Sequence, residues 1–100
     1  MSLPVRIESV AEGELAEGAV WYYRRSESAA DSFIEAVELT LSRIGSSPEA
    51  FPVKYRTTRA ATVPQFPYII YFVVRPDECV VLAVHHSRRS PRRWMKRGAG

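Results

Sequence analysis

The chain has 100 residues, of which 46% are hydrophobic and 25% are charged, and its formal net charge is +3. This length predicts one small domain, residues 1–100, with a limited core. No run of about 18 apolar residues occurs, so no transmembrane helix is expected, and the N-terminus lacks the pattern of a secretory signal. The single cysteine, Cys79, cannot form an intramolecular disulfide, which fits a cytoplasmic location.

The charge is divided unevenly along the chain. Residues 1–51 hold nine acidic and four basic side chains, whereas residues 52–100 hold two acidic and ten basic ones. From His85 onward there are six basic residues and no acidic residue. The positive electrostatic field of such a segment attracts a phosphate backbone or an acidic protein partner. A solvated tail that is basic only for solubility is the alternative.

The chain begins with a predicted strand and a predicted helix. Val5–Glu8 alternates apolar and polar residues, as a strand with one buried face does. A helix is predicted over Val10–Arg25, with Ser9 as its N-cap and Glu12 completing a capping box. Its apolar residues lie on one face: Ala11, Leu15, Ala19, Tyr22 and Tyr23.

A second helix is predicted over Ser28–Ile44. Ser28 is its expected N-cap and Gly45 its C-terminal stop. With only Ser26 and Glu27 between them, the two helices should form an antiparallel hairpin. Two amphipathic helices need a common apolar surface, which a sheet would supply.

The second half predicts an antiparallel meander of three strands. Val53–Thr58 alternates, and Ala60–Pro67 is expected to be a connection. Tyr68–Val74 is nearly all apolar, as a strand covered on both faces is. Arg75–Glu78 is a predicted turn with proline at its second position, and Cys79–His86 is the partner strand.

A short C-terminal helix is predicted over Pro91–Lys96, with proline at its first position. The predicted order is therefore β-α-α-β-β-β followed by this helix. We expect an α+β fold in which the helical hairpin packs on a mainly antiparallel sheet of about four strands.

Three groups of residues carry a resemblance that spans almost the whole chain. They are Trp21-Tyr22 with Ala30, Phe33 and the helix to Ile44, closed by Ser47-Pro48-Glu49-Ala50-Phe51-Pro52; then Phe66-Pro67-Tyr68-Ile69-Ile70-Tyr71; and Val84-His85-His86-Ser87-Arg88-Arg89-Ser90-Pro91, running on to Trp94 and Arg97. In this order and spacing they resemble the RelE/ParE superfamily of bacterial type II toxins, often labelled plasmid stabilisation proteins. The third group is typical of the ParE-like branch.

The resemblance implies a RelE/ParE-like fold and a growth-inhibiting toxin that a cognate antitoxin holds inactive. RelE-like members are ribosome-dependent endoribonucleases that cut mRNA, whereas ParE-like members poison DNA gyrase. Fold alone does not choose between these activities. We expect a gyrase inhibitor. The alternative is a ribonuclease acting on ribosome-bound mRNA, and a further alternative is an inactive relative that acts as a binding module.

Cleavage of RNA needs a base for the 2′-hydroxyl proton, cations for the charge on the phosphate and an acid for the leaving oxygen, but no metal. Histidine suits acid–base work near neutral pH, and arginine suits phosphate. If the protein is a ribonuclease, its candidate catalytic residues are Lys54, Arg56, Arg59, His86 and Arg89. Cations on a strand can equally be its solvated face. Alternation turns one of His85 and His86 inward without deciding which, and His86 is the one that matches the family motif.

The basic tail, residues 88–97, is the predicted target-binding surface. Its candidate residues are Arg88, Arg89, Arg92, Arg93, Trp94, Lys96 and Arg97. After Trp94 the tail lacks the tyrosine or acid that RelE-like ribonucleases carry near the C-terminus, which favours the gyrase hypothesis. Trp94 could stack on a base, anchor a protein partner or fold back on the sheet edge.

The expected partners are the antitoxin and DNA gyrase, or the ribosome with mRNA in the alternative. We expect no metal site, no small-molecule cofactor and no membrane partner. Cys79 lies in an apolar run and is expected to be an inert core thiol. Trp21, Tyr22 and Tyr23 are expected to lie mostly in the core, and an exposed aromatic residue there would mark contact with the antitoxin.

Overall fold

The structure of the protein, a computed structural model, describes residues 2–88. This part of the chain forms two helices, α1 (Ser9–Tyr23) and α2 (Glu27–Ser46), a 3-10 turn (Pro48–Ala50), and five strands, β1 (Val5–Ile7), β2 (Val53–Tyr55), β3 (Thr58–Thr62), β4 (Tyr68–Val74) and β5 (Cys79–His86). The α+β prediction is confirmed, with one strand more than expected. The predicted C-terminal helix lies outside the described residues.

The five strands form one mixed sheet in the order β1-β5-β4-β3-β2. β1 runs parallel to β5, whereas β2 to β5 form an antiparallel meander. β4 and β5 begin and end at the predicted residues. The turn between them is also where it was predicted, because the Arg75 N–H donates to the Glu78 carbonyl at 2.8 Å.

Both helices pack on one face of the sheet and contact each other. The core on this face contains Phe33 and Ile44 of α2, Ile70 and Phe72 of β4, and Val81 of β5, all of them fully buried. Burying each such side chain stabilises the fold by about 1.5–3 kcal/mol. The predicted helical hairpin on a sheet is therefore correct.

The predicted strand Val53–Thr58 is instead two strands joined by a turn at Arg56. Tyr55 pairs with Thr58 across that turn, and β3 takes up the first part of the predicted connection Ala60–Pro67. The alternation of apolar and polar residues continues through the turn, and no glycine, asparagine or proline marks it. For this reason the sheet has five strands and not about four.

Both predicted N-caps are wrong. Ser9 is the first residue of α1, and the preceding Glu8 makes no capping hydrogen bond through its side chain. α2 is capped by Ser26 and not by Ser28, since Ser26 Oγ accepts the N–H of Ala29 at 3.0 Å. Two serines two positions apart offer the same capping chemistry, so the choice depends on where the hairpin turns.

Gly45 does not stop α2, which continues to Ser46. It is buried beneath the start of the chain, and a Cβ built at Gly45 would lie only 2.7 Å from the Leu3 carbonyl oxygen. Leu3 donates its N–H to the Gly45 carbonyl at 2.9 Å. Glycine at this position therefore lets the segment that leads into β1 approach the helix closely.

The aromatic residues of α1 divide between the core and the solvent. Tyr22 packs against Phe33 and Phe66, each with ring centroids 5.0 Å apart. Tyr23 is 61% exposed and Trp21 is 47% exposed, so the expectation that these two residues lie mostly in the core is wrong. One turn of helix carries three aromatic residues in a row, and they cannot all face the same side.

Candidate functional site

The two adjacent histidines of β5 point to opposite faces of the sheet, as alternation requires. His85 is 1% exposed and lies 6.1 Å from the Tyr71 ring, centroid to centroid. His86 is half-buried on the face that α1 covers, where its ring stands edge-on to Tyr68 at 5.5 Å. The structure therefore assigns the inward, structural position to His85 and leaves His86 accessible.

Glu14 of α1 holds the end of β5 in place. One carboxylate oxygen accepts the backbone N–H of Val84 at 3.0 Å, and the other lies 2.8 Å from His85 Nε2. β1 ends at Ile7 and does not extend alongside Val84. The Glu14 carboxylate therefore occupies the side of β5 where a neighbouring strand would pair. Periodicity did not identify this role, because Glu14 lies off the apolar face of α1.

His86 lines a small pocket between α1 and the ends of β4 and β5. Its Nδ1 accepts the backbone N–H of Arg88 at 3.2 Å, so in the neutral ring the hydrogen is on Nε2. In this tautomer the accessible Nε2 is a hydrogen-bond donor. The pocket has a volume of about 170 Å³ and is lined by Glu14, Glu17, Gly18, Trp21, Tyr68, Val84 and His86.

The basic candidates of the second half lie around β2 and β3. Lys54 of β2 and Arg56 in the turn are exposed. Arg56 has a φ of 50°, and its Nε donates to the Tyr55 hydroxyl at 3.1 Å. Arg59 of β3 is half-buried and donates from Nη1 to the Phe51 carbonyl at 2.7 Å, which fixes its guanidinium against the backbone.

The sheet register does not bring His86 together with these cations. On β4, Tyr68 pairs with His86, whereas Phe72 pairs with Arg59. Four residues along a strand span roughly 13 Å, and the two strands that flank β4 lie about 10 Å apart. The backbones of His86 and Arg59 are thus roughly 16 Å apart, and β2 is one strand spacing farther away.

Of the predicted target-binding residues, the structure describes Arg88 alone, which is exposed two residues after the end of β5. The other candidates lie outside the described residues: Arg89, Arg92, Arg93, Trp94, Lys96 and Arg97. Their predicted role stays a prediction.

The outer face of α1 is apolar although no described element covers it. Val20 is 50% exposed beside Trp21, and the guanidinium of Arg25 lies over the Trp21 ring at 3.3 Å from its centroid. Gly13 has no atom within 4 Å of where its Cβ would be. The surface is a shallow depression of about 390 Å³, lined by Gly13, Ala16, Glu17, Val20, Trp21 and Arg24, and is here called the α1 outer face.

Cys79 is fully buried, and burial together with the charge of Glu78 raises the pKa of its thiol. Its Sγ lies 3.8 Å from the Ile44 carbonyl oxygen, in agreement with an inert core thiol. Within residues 2–88, His, Cys, Asp and Glu side chains form no group of three that could bind a metal ion. No helix in the same range has the length and apolar character needed to cross a membrane.

The family model for the ParE toxin of type II toxin–antitoxin systems, parDE, matches residues 5–91. The chain belongs to the ParE toxin family. A comparison with curated proteins gave no match. Among solved structures the chain is similar to one from the chromosomal ParDE toxin–antitoxin system of P. aeruginosa, with a TM-score of 0.73, 14% sequence identity, and coverage of 85% of this chain and 96% of that chain.

This membership confirms that the protein is a ParE-like toxin of a type II toxin–antitoxin system. The structural match has the same fold, and at such a low identity it speaks of the fold alone. The match to the family model includes β1 to β5 and ends at residue 91, before the C-terminal part of the basic tail. The predicted target-binding residues Arg92, Arg93, Trp94, Lys96 and Arg97 therefore lie beyond the matched region.

Proposed function

We propose that this ParE-family toxin stops bacterial growth by poisoning DNA gyrase and that a cognate antitoxin neutralises it. Membership of the ParE branch supports the target, because ParE-like members of the superfamily are the ones that poison gyrase. The runner-up activity, ribosome-dependent cleavage of mRNA, would need an acid, a base and cations gathered around one phosphodiester.

The sheet register is the observation that favours gyrase over cleavage of RNA. His86 lies at one end of the sheet and Lys54 and Arg56 lie at the other, more than roughly 16 Å away by strand geometry, whereas proton transfer needs contacts of about 3 Å. His86 Nδ1 is already bonded to the Arg88 N–H. This separation argues against a composite site for phosphodiester cleavage built from His86, Lys54 and Arg56.

Pulse-labelling after induction of the toxin alone in a bacterium tests the target. We expect thymidine incorporation to fall before amino-acid incorporation, with filamentation of the cells. Purified toxin added to gyrase and supercoiled plasmid should leave linear DNA with protein attached to its ends. Earlier loss of protein synthesis, with cut mRNA on ribosomes, would establish the ribonuclease activity instead.

The α1 outer face supports the proposal of a docked antitoxin. Val20 and Trp21 are about half exposed, and exposed apolar surface of this kind marks a protein contact. The small residues Gly13 and Ala16 leave room for side chains of a partner. The charged residues Glu17 and Arg24 lie at the rim, where they can set the register of an amphipathic antitoxin segment.

A matched pair of arginine substitutions tests this contact. Val20→Arg buries a charge in the proposed interface, so we expect it to weaken antitoxin binding by about 100-fold or more. Leu39→Arg places the same side chain at a residue of α2 with equal exposure, 49%, and should change the affinity by less than about threefold. Equal affinities of the two variants in calorimetry would contradict docking on the α1 outer face.

A further inference from the structure

We infer that the tip of the β2–β3 hairpin, residues 54–57, contacts the phosphate backbone of duplex DNA. This deepens the proposed function, on which it rests, because a gyrase poison acts where the enzyme holds DNA. The hairpin tip contains the basic candidates Lys54 and Arg56 and is separate from the α1 outer face. It lies at the edge of the sheet that is opposite to β1.

The conformation of Arg56 is the first observation. Tyr55 pairs with Thr58, so Arg56 and Thr57 form a two-residue loop, and Arg56 has a φ of 50°. Such loops favour glycine, asparagine or aspartate, because a side chain with a Cβ is strained at positive φ. An arginine kept in a strained loop position is typical of a functional site, where the side chain matters more than the stability of the turn.

The charge around the hairpin tip is the second observation. Between residues 50 and 76 the chain has four basic residues and no acidic one. Within residues 2–88, no carboxylate forms an ion pair with Lys54, Arg56 or Arg59. Arg6, on the opposite edge strand, is by contrast paired with Glu8 and Glu78. The hairpin tip therefore presents positive charge that the described part of the protein does not neutralise.

The chemistry of the hairpin tip suits a phosphate backbone. Arg56 lies beside Tyr55, with its guanidinium carbon 5.4 Å from the ring centroid, and only its Nε donates to the Tyr55 hydroxyl. The remaining guanidinium donors of Arg56 are free to bind phosphate oxygens. Lys54 adds a second cation one residue before Tyr55. Arginine, lysine and tyrosine are residues that commonly bind DNA phosphates.

The position of the hairpin tip lets it act separately from the antitoxin surface. β2 and β5 are separated by β4 and β3, which corresponds to about 14 Å across the sheet. Glu14 and the α1 outer face lie on the β5 side. A contact with DNA at the hairpin tip would therefore leave the α1 outer face available.

Binding to a fluorescein-labelled DNA duplex, followed by anisotropy at several salt concentrations, tests the inference. The informative variants are Lys54→Gln and Arg56→Gly, and Arg43→Gln removes a cation that is also exposed, from α2, as the control. Each lost phosphate contact should weaken binding about 5- to 10-fold at 0.1 M salt and lower the slope of log K against log salt by about 1. Arg43→Gln should bind as the wild type does.

The thermal midpoint separates loss of contact from loss of structure. Because glycine accepts positive φ without strain, Arg56→Gly should raise Tm by about 2–6 °C while it weakens DNA binding. Arg56→Lys keeps both the charge and the strain, so its DNA affinity should lie between those of the wild type and Arg56→Gly. A wild type that does not bind the duplex would overturn the inference, as would a loss of the same size in Arg43→Gln.

Gyrase-dependent DNA cleavage by the same variants separates failure of this inference from failure of the proposed function. If wild type and Arg56→Gly trap cleaved plasmid equally and also bind the duplex equally, gyrase poisoning stands and the hairpin contact is wrong. If the wild type traps none, yet duplex binding is lost in the hairpin variants, the DNA contact stands and the gyrase target is wrong. Hairpin variants that lose affinity for the antitoxin but not for DNA would show that the tip binds an acidic protein segment instead.

Discussion

The two edges of the sheet are built in different ways. At the β1–β5 edge, Glu14 bonds both the Val84 N–H and His85, and Gly45 lets the chain before β1 pack tightly. At the β2–β3 edge, by contrast, Arg56 is in a conformation that favours glycine. The Thr58 hydroxyl there is buried without a hydrogen-bond partner among the described residues.

This difference separates stability from recognition. The β1–β5 edge pairs its charges internally, so removing one partner of a buried pair there leaves the other partner uncompensated. The β2–β3 edge has local strain and cations without a carboxylate partner within residues 2–88, which cost stability and are typical of a binding surface. Substitutions at the first edge should therefore destabilise the protein, whereas several at the second should stabilise it.

The largest expected effect is at Glu14. Glu14→Ala leaves the buried His85 without its carboxylate and the Val84 N–H without its acceptor, so we expect a loss of about 3–5 kcal/mol in the free energy of unfolding. Urea denaturation measures it. Glu17→Ala, the same change at an exposed residue of the same helix, should stay within about 0.5 kcal/mol. Similar losses in both would contradict the role of Glu14.

Alanine substitutions at Gly45 and Gly13 should change the free energy of unfolding in opposite directions. Gly45→Ala places a Cβ 2.7 Å from the Leu3 carbonyl oxygen, and we expect a loss of about 1–3 kcal/mol as the chain before β1 moves away. Gly13→Ala meets no atom within 4 Å and should gain about 0.5–1 kcal/mol from helix propensity. Both are measured by thermal unfolding of the free toxin. A gain from Gly45→Ala would show that this segment is not tightly packed.

Thr58→Val should stabilise the protein. The hydroxyl is buried and has no partner within residues 2–88, so replacing it by a methyl group of similar shape removes a desolvation cost of about 1 kcal/mol. Thr62→Val at the exposed end of β3 is the control and should change the free energy of unfolding by less than about 0.5 kcal/mol. Chemical denaturation of both variants shows whether the buried Thr58 hydroxyl lowers the free energy of unfolding.

The smallest effect is expected at Arg6. Its guanidinium bonds Glu78 at 3.2 Å through both Nε and Nη2 and Glu8 at 3.5 Å through Nη1, but the pair is exposed to solvent and to screening by salt. Arg6→Gln should therefore lower stability slightly at low salt and not at high salt. A double-mutant cycle with Glu78→Gln checks the coupling. A coupling that is unchanged at high salt would mean that the pair is effectively buried.

The sequence alone determined the elements with strong periodicity. The bounds of β4 and β5 were predicted to the residue, because nearly continuous apolar runs on either side of a proline turn are compatible with few other secondary structures. α2 was predicted within two residues at each end from its apolar stripe. The family could also be inferred from the order of three residue groups. The match over residues 5–91 confirms the ParE-like branch.

Other features depend on contacts between residues that are distant in the chain, and only the tertiary structure decided them. Which histidine of β5 is buried follows from Glu14, 71 residues away from His85. The division of one predicted strand at Arg56 has no local signal, since strain at positive φ is tolerated only where the sheet supports both strands. The separation of His86 from Lys54 follows from strand order and register, which local patterns do not specify because every strand can pair with several others.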